Sequence, residues 1–130
     1  MNEHEEKTID AFIVKEKRRR YKSLLSNSKK RTEALDNLNH LHDLDEKYVI
    51  WLKSNAPINL MLRQHESPEQ VYVMSDNKGI DGRRMPLDEA IFEAAFSGWG
   101  TIISCIPGQL AYYYAEEGIK RGILKRKLNE

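Results

Sequence analysis

The sequence is poor in cysteine and in long apolar runs. Its 130 residues include a single cysteine, Cys105, so an internal disulfide and a cysteine-based zinc site are both excluded. No apolar run approaches the roughly 18 residues that a membrane span needs. The acidic stretch at residues 1–6 is also unlike a signal peptide. We therefore expect a cytoplasmic protein that does not associate with membranes.

Motifs for nucleotide and calcium binding are incomplete. Gly98-Trp99-Gly100 lacks the third glycine of a dinucleotide fingerprint, whose position is taken by Ile103. The stretch 76–81 begins like a calcium loop, but Lys78 replaces an oxygen ligand and Asp81 replaces the required glycine. The sequence therefore predicts no cofactor and gives no local signature of catalysis.

Histidine and cysteine supply two weaker candidates for chemistry. His40 and His42, followed by two aspartates, resemble metal ligands, but residues two apart on a helix point away from each other. We favour histidines that interact with the carboxyl end of a helix, and we predict no metal site. Cys105 lies in an apolar stretch with no basic neighbour, which favours a packed core residue over a nucleophile.

The composition is that of one folded domain. Hydrophobic residues make up 40% of the chain and charged residues 32%, so a chain of this length can bury about two thirds of its unfolded surface. The whole of 1–130 is therefore expected to form a single domain, with a basic helical segment at about 9–42 and a sheet-containing part at about 47–126.

Charge is unevenly distributed although the net charge is only +1. Residues 1–31 carry ten basic and five acidic side chains, residues 32–118 carry six and 14, and residues 119–130 carry five and one. Within 15–31, nine basic residues stand against Glu16 alone. Two interpretations are open: this segment binds the phosphates of nucleic acid, or it folds back on the acidic middle of the chain. We favour the second. The candidate nucleic-acid contacts are Arg18, Arg19, Arg20, Lys29, Lys30 and Arg31.

Hydrophobic spacing and capping residues predict four helices. The first spans about 9–25 with Thr8 as its cap, and the second spans about 29–42, where apolar residues recur three and four apart. The third follows Pro57 and ends before Pro68. The fourth begins near Pro86 and stops at Gly98.

Short β-branched and aromatic runs predict the strands. They lie at 48–52, 71–75, 101–106 and 110–114, with a final strand through Ile123 and Leu124. Pro107-Gly108 suits the centre of a type II turn, so 101–106 and 110–114 should form an antiparallel hairpin. Tyr112 to Tyr114 should place one face in the core and leave the other partly exposed. The predicted fold is α+β, with N-terminal helices packed on a small antiparallel sheet and one crossing helix.

The best candidate for a ligand site is the polar loop 76–84 together with the glycine turn at 98–100. Strand, loop, helix and turn are consecutive, so these segments can meet at one end of the sheet, where binding residues often lie. The weak candidates for ligand contacts are Asp76, Asp81, Arg83, Arg84 and Trp99. The ordinary alternative is a polar turn, a helix cap and a tryptophan that completes the core.

The order of elements, with the helix start at 85–90 and the turn at 103–108, resembles that of small bacterial proteins. The leading interpretation is a bacterial-type protein that acts as a non-catalytic binding or protein-interaction module, with a protein partner or self-association. One alternative is a small enzyme or ligand-binding protein with its site at the 76–84 loop and Trp99. The second is a nucleic-acid-binding protein that uses the segment 15–31.

Overall fold

The computed structural model describes residues 2–40 and 42–127, and within them the chain forms five α-helices and six β-strands. The helices are α1 (Glu3–Phe12), α2 (Arg18–Ser26), α3 (Arg31–Asp36), α4 (Ile58–Gln64) and α5 (Leu87–Ser97). The strands are β1 (Val49–Trp51), β2 (Gln70–Ser75), β3 (Arg84–Pro86), β4 (Thr101–Ile106), β5 (Leu110–Tyr114) and β6 (Arg121–Lys125). Short 3₁₀ turns lie at Lys15–Lys17, Asn37–His40, Glu46–Tyr48 and Glu116–Gly118.

The six strands form one antiparallel sheet in the order β1-β6-β5-β4-β2-β3. Helices α1 to α3 cover one face, while α4 and α5 cover the other. The crossing helix is α5, which connects β3 to β4 and packs on β2, β3 and β4. The predicted α+β fold is confirmed.

Alternation along the strands divides the apolar side chains between two cores. Ile102 and Tyr113 point toward α1 to α3, whereas Ile103 and Tyr112 point toward α4 and α5. In the second core, Leu87, Ala94, Ile103 and Cys105 are buried and Ile91 packs against them. The apolar stripe of α5 therefore packs on the face of β4 that carries Ile103 and Cys105.

The hairpin of β4 and β5 turns at Pro107 and Gly108 as predicted. The amide of Gln109 donates to the carbonyl of Ile106 at 2.9 Å, and Gly108 has a φ of +71°. This left-handed conformation favours glycine at the third position of a type II turn. The hairpin prediction is confirmed.

The tyrosine run in β5 differs from expectation. All three rings, Tyr112 to Tyr114, are buried, because helices cover both faces of the sheet. The prediction that one face of this tyrosine run is partly exposed is therefore wrong. The strand predicted at 48–52 exists as β1, but it lies at the edge of the sheet, where Ile50 and Trp51 are 44% and 39% exposed.

The helix predicted over 9–25 is two helices. The chain leaves α1 at Ile13, which is extended and bridges Leu44, and the amide of Val14 donates to the carbonyl of Asp43 at 2.8 Å. This pairing with a distant segment overrides local helix propensity. The cap of α1 is Asn2, whose side chain accepts from the Glu5 amide, and the predicted cap Thr8 is buried inside the helix.

Two further predictions on element bounds are corrected. In place of a helix over 29–42, α3 ends at Asp36 and passes into the 3₁₀ turn, while Leu41 lies outside the described residues. The loop predicted over 76–84 ends in a short strand, because Arg84 begins β3. Three residues at a sheet edge are too few to show an alternating pattern in the sequence.

Candidate functional site

The loop after β2 and the glycine turn before β4 lie together at one end of the sheet. The amide of Asp76 donates to the carbonyl of Gly100 at 3.1 Å, and the Ser75 and Thr101 hydroxyls share a hydrogen bond of 2.8 Å. The structure therefore brings together the two segments that the sequence singled out.

Asp76 is engaged by a buried asparagine. Its carboxylate accepts from the Asn39 side-chain nitrogen at 3.0 Å, while the Asn39 side-chain oxygen accepts from the Gly100 amide at 2.6 Å. Asn39 thus joins the 3₁₀ turn after α3 to both segments. The side chains of Asp76 and Asn39 therefore form their hydrogen bonds with other groups of the protein.

Asp81 belongs to a network that crosses the protein from α1 to the loop. Its carboxylate accepts from Arg31 Nε at 2.8 Å and Nη2 at 3.1 Å, and from the Ser75 amide at 3.1 Å. The same guanidinium donates to both carboxylate oxygens of Glu5, at 2.9 Å and 2.7 Å. Arg31 is therefore held by two carboxylates at once, in the fork geometry that makes such pairs strong.

Burial and hydrogen bonding together shift the pKa values of two members of this network, Glu5 and Tyr72. Glu5 is 3% exposed, and burial alone would raise its pKa, but hydrogen bonds from Arg31 and Tyr72 outweigh that effect and lower the pKa. Burial and the Glu5 carboxylate raise the pKa of Tyr72 to about 12. Glu5 is thus held ionised and Tyr72 protonated, as partners in a structural network.

His4 extends the network on α1. Its ring stacks on Tyr72 with a centroid separation of 5.3 Å, and its Nδ1 shares a hydrogen bond of 2.7 Å with the Ser104 hydroxyl. Burial, with a smaller effect of Arg84, lowers the pKa of His4. His4 is therefore neutral at pH 7.

The other three candidates, Arg83, Arg84 and Trp99, have no contact in common. Arg83 donates to the carbonyl of Gly79 at 3.1 Å, and Arg84 lies over the Tyr72 ring at 5.8 Å. Trp99 is 47% exposed. Five surface cavities of about 190 to 300 Å³ are lined by described residues, and none of these five is lined by Asp76, Asp81, Arg83, Arg84 or Trp99.

The basic segment 15–31 is partly used by the fold. Arg18 donates to the carbonyl of Ile13 at 2.8 Å, and Arg20 pairs with Glu33 at 2.9 Å. Arg31 is held by Glu5 and Asp81, as described above. Three candidates are exposed and form no ion pair with any described residue: Arg19, Lys29 and Lys30. Of the six candidates, three are therefore bonded within the fold and three form no ion pair among the described residues.

The cysteine and the histidine named as candidates for chemistry differ in exposure. Cys105 is buried, and burial raises the pKa of its thiol to about 11, as befits the predicted core residue. His40 is largely exposed and lies 3.4 Å from the Glu116 carboxylate. Across residues 2–40 and 42–127, no three side chains of metal-binding type are grouped to hold an ion.

The outward face of α5 carries a feature that the sequence reasoning missed. The rings of Phe92 and Phe96 stack with a centroid separation of 5.8 Å, although they are 62% and 78% exposed. Trp99 follows just beyond the helix end. The signal was present in the sequence, because the apolar stripe of α5 excludes both phenylalanines, and their spacing of four places them on one helix face.

Two carboxylates lie beside this aromatic pair on α5, and a third lies near the end of the helix. Glu89 and Glu93 lie on the same helix. The backbone amide of Glu117 donates a hydrogen bond of 2.6 Å to the Gly98 carbonyl, which brings Glu117 to the end of the helix. From residue 85 to residue 119 the sequence contains no lysine, arginine or histidine. The outward face of α5, with Glu117 at its end, is therefore both aromatic and acidic; we call it the α5 face.

Comparison with models of known protein families, with curated proteins and with solved structures gives no match. The helices of the described residues are all too short or too polar to cross a membrane.

Proposed function

We propose that this protein is a non-catalytic protein-interaction module that docks a protein partner on the α5 face. The observation that carries the proposal is the stacked pair of Phe92 and Phe96, which remains exposed on a helix whose other side is buried. Large aromatic side chains are enriched at interfaces, where they supply much of the binding energy.

The size of the aromatic surface supports this proposal. From the exposed fractions of Phe92 and Phe96, these two side chains present on the order of 300 Å² to solvent. Patches of this size on soluble proteins are often functional. A partner that covers this patch and a polar rim would bury about 800 Å² on this side, as a specific interface requires.

The α5 face is also rigid, which favours binding. Leu87, Ala90 and Ala94 anchor the helix in the core between the sheet and α4. Gly98 ends the helix with a φ of +73°, the left-handed conformation that suits a terminal glycine. A surface fixed in this way loses little conformational freedom when a partner binds.

The contacts of the loop candidates favour an interaction module over an enzyme. Asp76 and Asp81 accept hydrogen bonds from Asn39, Arg31 and the Ser75 amide, all within the fold. Their carboxylates thus serve as hydrogen-bond acceptors that hold the loop in place.

We also propose a cytoplasmic location in a bacterial-type cell. Cys105 is a buried free thiol, which suits a reducing compartment. The bacterial assignment rests on the resemblance of the helix start at 85–90 and the turn at 103–108 to small bacterial proteins.

The test is site-specific photo-crosslinking in the cells that produce the protein. A photoreactive amino acid replaces Ala95, which is exposed between the two phenylalanines, and in a control replaces Ser23, which is exposed on α2 across the sheet. We expect a discrete adduct from position 95 and none of that mass from position 23. No adduct at 95, or the same adduct at both positions, contradicts the proposal.

The crosslinked protein is then identified, purified and titrated against the chain. We expect Phe92→Gln/Phe96→Gln to weaken binding on the order of 100-fold, since central aromatic residues dominate such interfaces. The control Ile50→Thr changes another exposed apolar residue, on β1 at the far edge of the sheet, and should bind like the parent. Equal affinity of the double variant and the parent overturns the proposed function.

A further inference from the structure

The acidic side chains of the α5 face lie beside its aromatic pair. Glu89 and Glu93 are separated by four residues, as are Phe92 and Phe96, so each pair forms a row along the helix. The two rows start three residues apart. The aromatic row therefore has a row of carboxylates along one side.

These carboxylates lack the neutralising partners that other acids in the protein have. Arg63 lies 2.9 Å from both Asp88 and Glu69, and so neutralises charge at the start of α5. Glu89, Glu93 and Glu117, by contrast, form no ion pair or side-chain hydrogen bond with any described residue. The negative charge on this face is thus available to a partner.

The carboxyl end of α5 adds to the negative charge of the α5 face. The last turn of the helix contains no basic residue, and its terminal carbonyls carry the negative end of the helix dipole. Glu117 is held there by the hydrogen bond that its backbone amide donates to the Gly98 carbonyl. A cation near this end would therefore meet both a carboxylate and the helix dipole.

The shape of the face favours a helix as the occupant. Phe92 and Phe96 project from consecutive turns of α5, about 6 Å apart along the axis. Rows of side chains spaced in this way pack into the grooves of a second helix lying alongside. Recognition between a helix and an apolar surface commonly uses anchors with this spacing.

We infer that the partner lays a cationic amphipathic helix along α5, with apolar side chains over Phe92 and Phe96 and with lysine or arginine facing Glu89, Glu93 and Glu117. This inference rests on the proposed function and names the chemistry of the partner. Apolar contact supplies the affinity, while the charges select a basic helix and exclude an acidic one.

Three synthetic peptides test this inference. The first is a fluorescein-labelled amphipathic helix of leucine and lysine, about 15 residues long, a length at which designed helices form. The second replaces every lysine with glutamate, and the third scrambles the first so that its apolar face is lost. Binding is measured by fluorescence anisotropy at low and physiological salt. We expect the first peptide to bind at least tenfold more tightly than the other two, and to weaken as salt rises.

Variants of the chain then locate the binding. Glu89→Gln/Glu93→Gln should weaken the leucine-lysine peptide by about three- to tenfold, as expected for two partly screened charge contacts. The matched control, Glu6→Gln/Glu16→Gln, changes net charge equally at two exposed residues on the opposite face of the sheet, and should bind like the parent. Phe92→Gln/Phe96→Gln should bind at least tenfold more weakly. All these residues lie outside the buried cores, and thermal melts verify that each variant is folded.

The outcomes separate this inference from the proposed function. If the glutamate variants and their controls bind alike, or if the acidic peptide binds as well as the basic one, the cationic partner is wrong. The proposed function is then tested independently, by whether Phe92→Gln/Phe96→Gln weakens binding of the crosslinked partner. If the phenylalanine variant keeps full affinity for the basic peptide, that peptide binds elsewhere and the inference is overturned.

Discussion

Arg31 donates hydrogen bonds to both carboxylate oxygens of Glu5, at 2.9 Å and 2.7 Å, and thereby joins the start of α3 to the first turn of α1. The same guanidinium reaches Asp81 in the loop after β2. One side chain therefore connects three segments that are distant in sequence. Its partners are also the reason that the segment 15–31 is not simply a basic surface.

Arg31→Met should destabilise the protein severely, because it leaves the Glu5 carboxylate buried without its cation. Removal of one partner from a buried ion pair costs about 3 to 5 kcal/mol. Lys30→Gln, at an exposed neighbour with no ion pair among the described residues, should change the free energy of unfolding by less than about 0.5 kcal/mol. Urea denaturation of the two variants measures the contrast, and similar midpoints would show that Arg31 is not a structural clamp.

The lowered pKa of Glu5 predicts loss of stability in acid. Because its folded-state pKa lies below the ordinary value of 4.5, the unfolded chain binds more protons than the folded chain between the two values. The contribution of Glu5 is therefore fully present above about pH 4.5 and is lost as the pH falls through the folded pKa. Urea titrations between neutral and acid pH should show a shallower decline for Glu5→Gln than for the control Glu6→Gln. Parallel profiles would contradict this assignment.

Gly100→Ala should destabilise the end of the sheet. A Cβ there would lie 2.6 Å from the Asn39 amide nitrogen and from the Leu38 carbonyl carbon, both of which are backbone atoms. Overpacking of this kind costs about 1 to 3 kcal/mol. At Gly79 the nearest atom is a side-chain oxygen of Asn77 at 3.2 Å, which can move, so Gly79→Ala should cost less. Thermal melts that rank the two variants in the opposite order would refute the argument.

Arg18→Gln/Arg19→Gln/Arg20→Gln separates the two interpretations of the basic segment. We expect lower stability, by about 1 kcal/mol for the bond from Arg18 to the Ile13 carbonyl, and no change in affinity for DNA. A nucleic-acid surface predicts the opposite result, with affinity falling by about one logarithmic unit per phosphate contact for each tenfold rise in salt. Unchanged stability together with weakened, salt-dependent DNA binding would favour that surface.

The sequence predicted correctly those elements and turns that depend on residues close together in the chain. The α5 stripe, its stop at Gly98 and the Pro107-Gly108 hairpin were predicted because each depends on residues close together in the chain. The break at Ile13 was not, because it depends on pairing with Leu44. Tertiary contacts of this kind leave no periodic signal.

The candidate site, like the fold, was predictable only where it depends on local sequence or chain order. The meeting of the 76–84 loop with the turn at 98–100 follows from chain order, whereas the bonds of Asp81 to Arg31 cross 50 residues and have no local signature. Phe92 and Phe96 were detectable, because an amphipathic helix with two aromatic residues on its polar side departs from the usual pattern.

The strand order has a consequence for how the protein is made. Strand β6 lies between β1 and β5, so β1 has no partner until Arg121–Lys125 has left the ribosome. Until then both edges of β1 and the edge of β5 that later pairs with β6 are unpaired, and open edges of this kind invite aggregation. Strand β6 is therefore the element that joins β1 to the rest of the sheet, and the sheet is complete only after β6 has been synthesised.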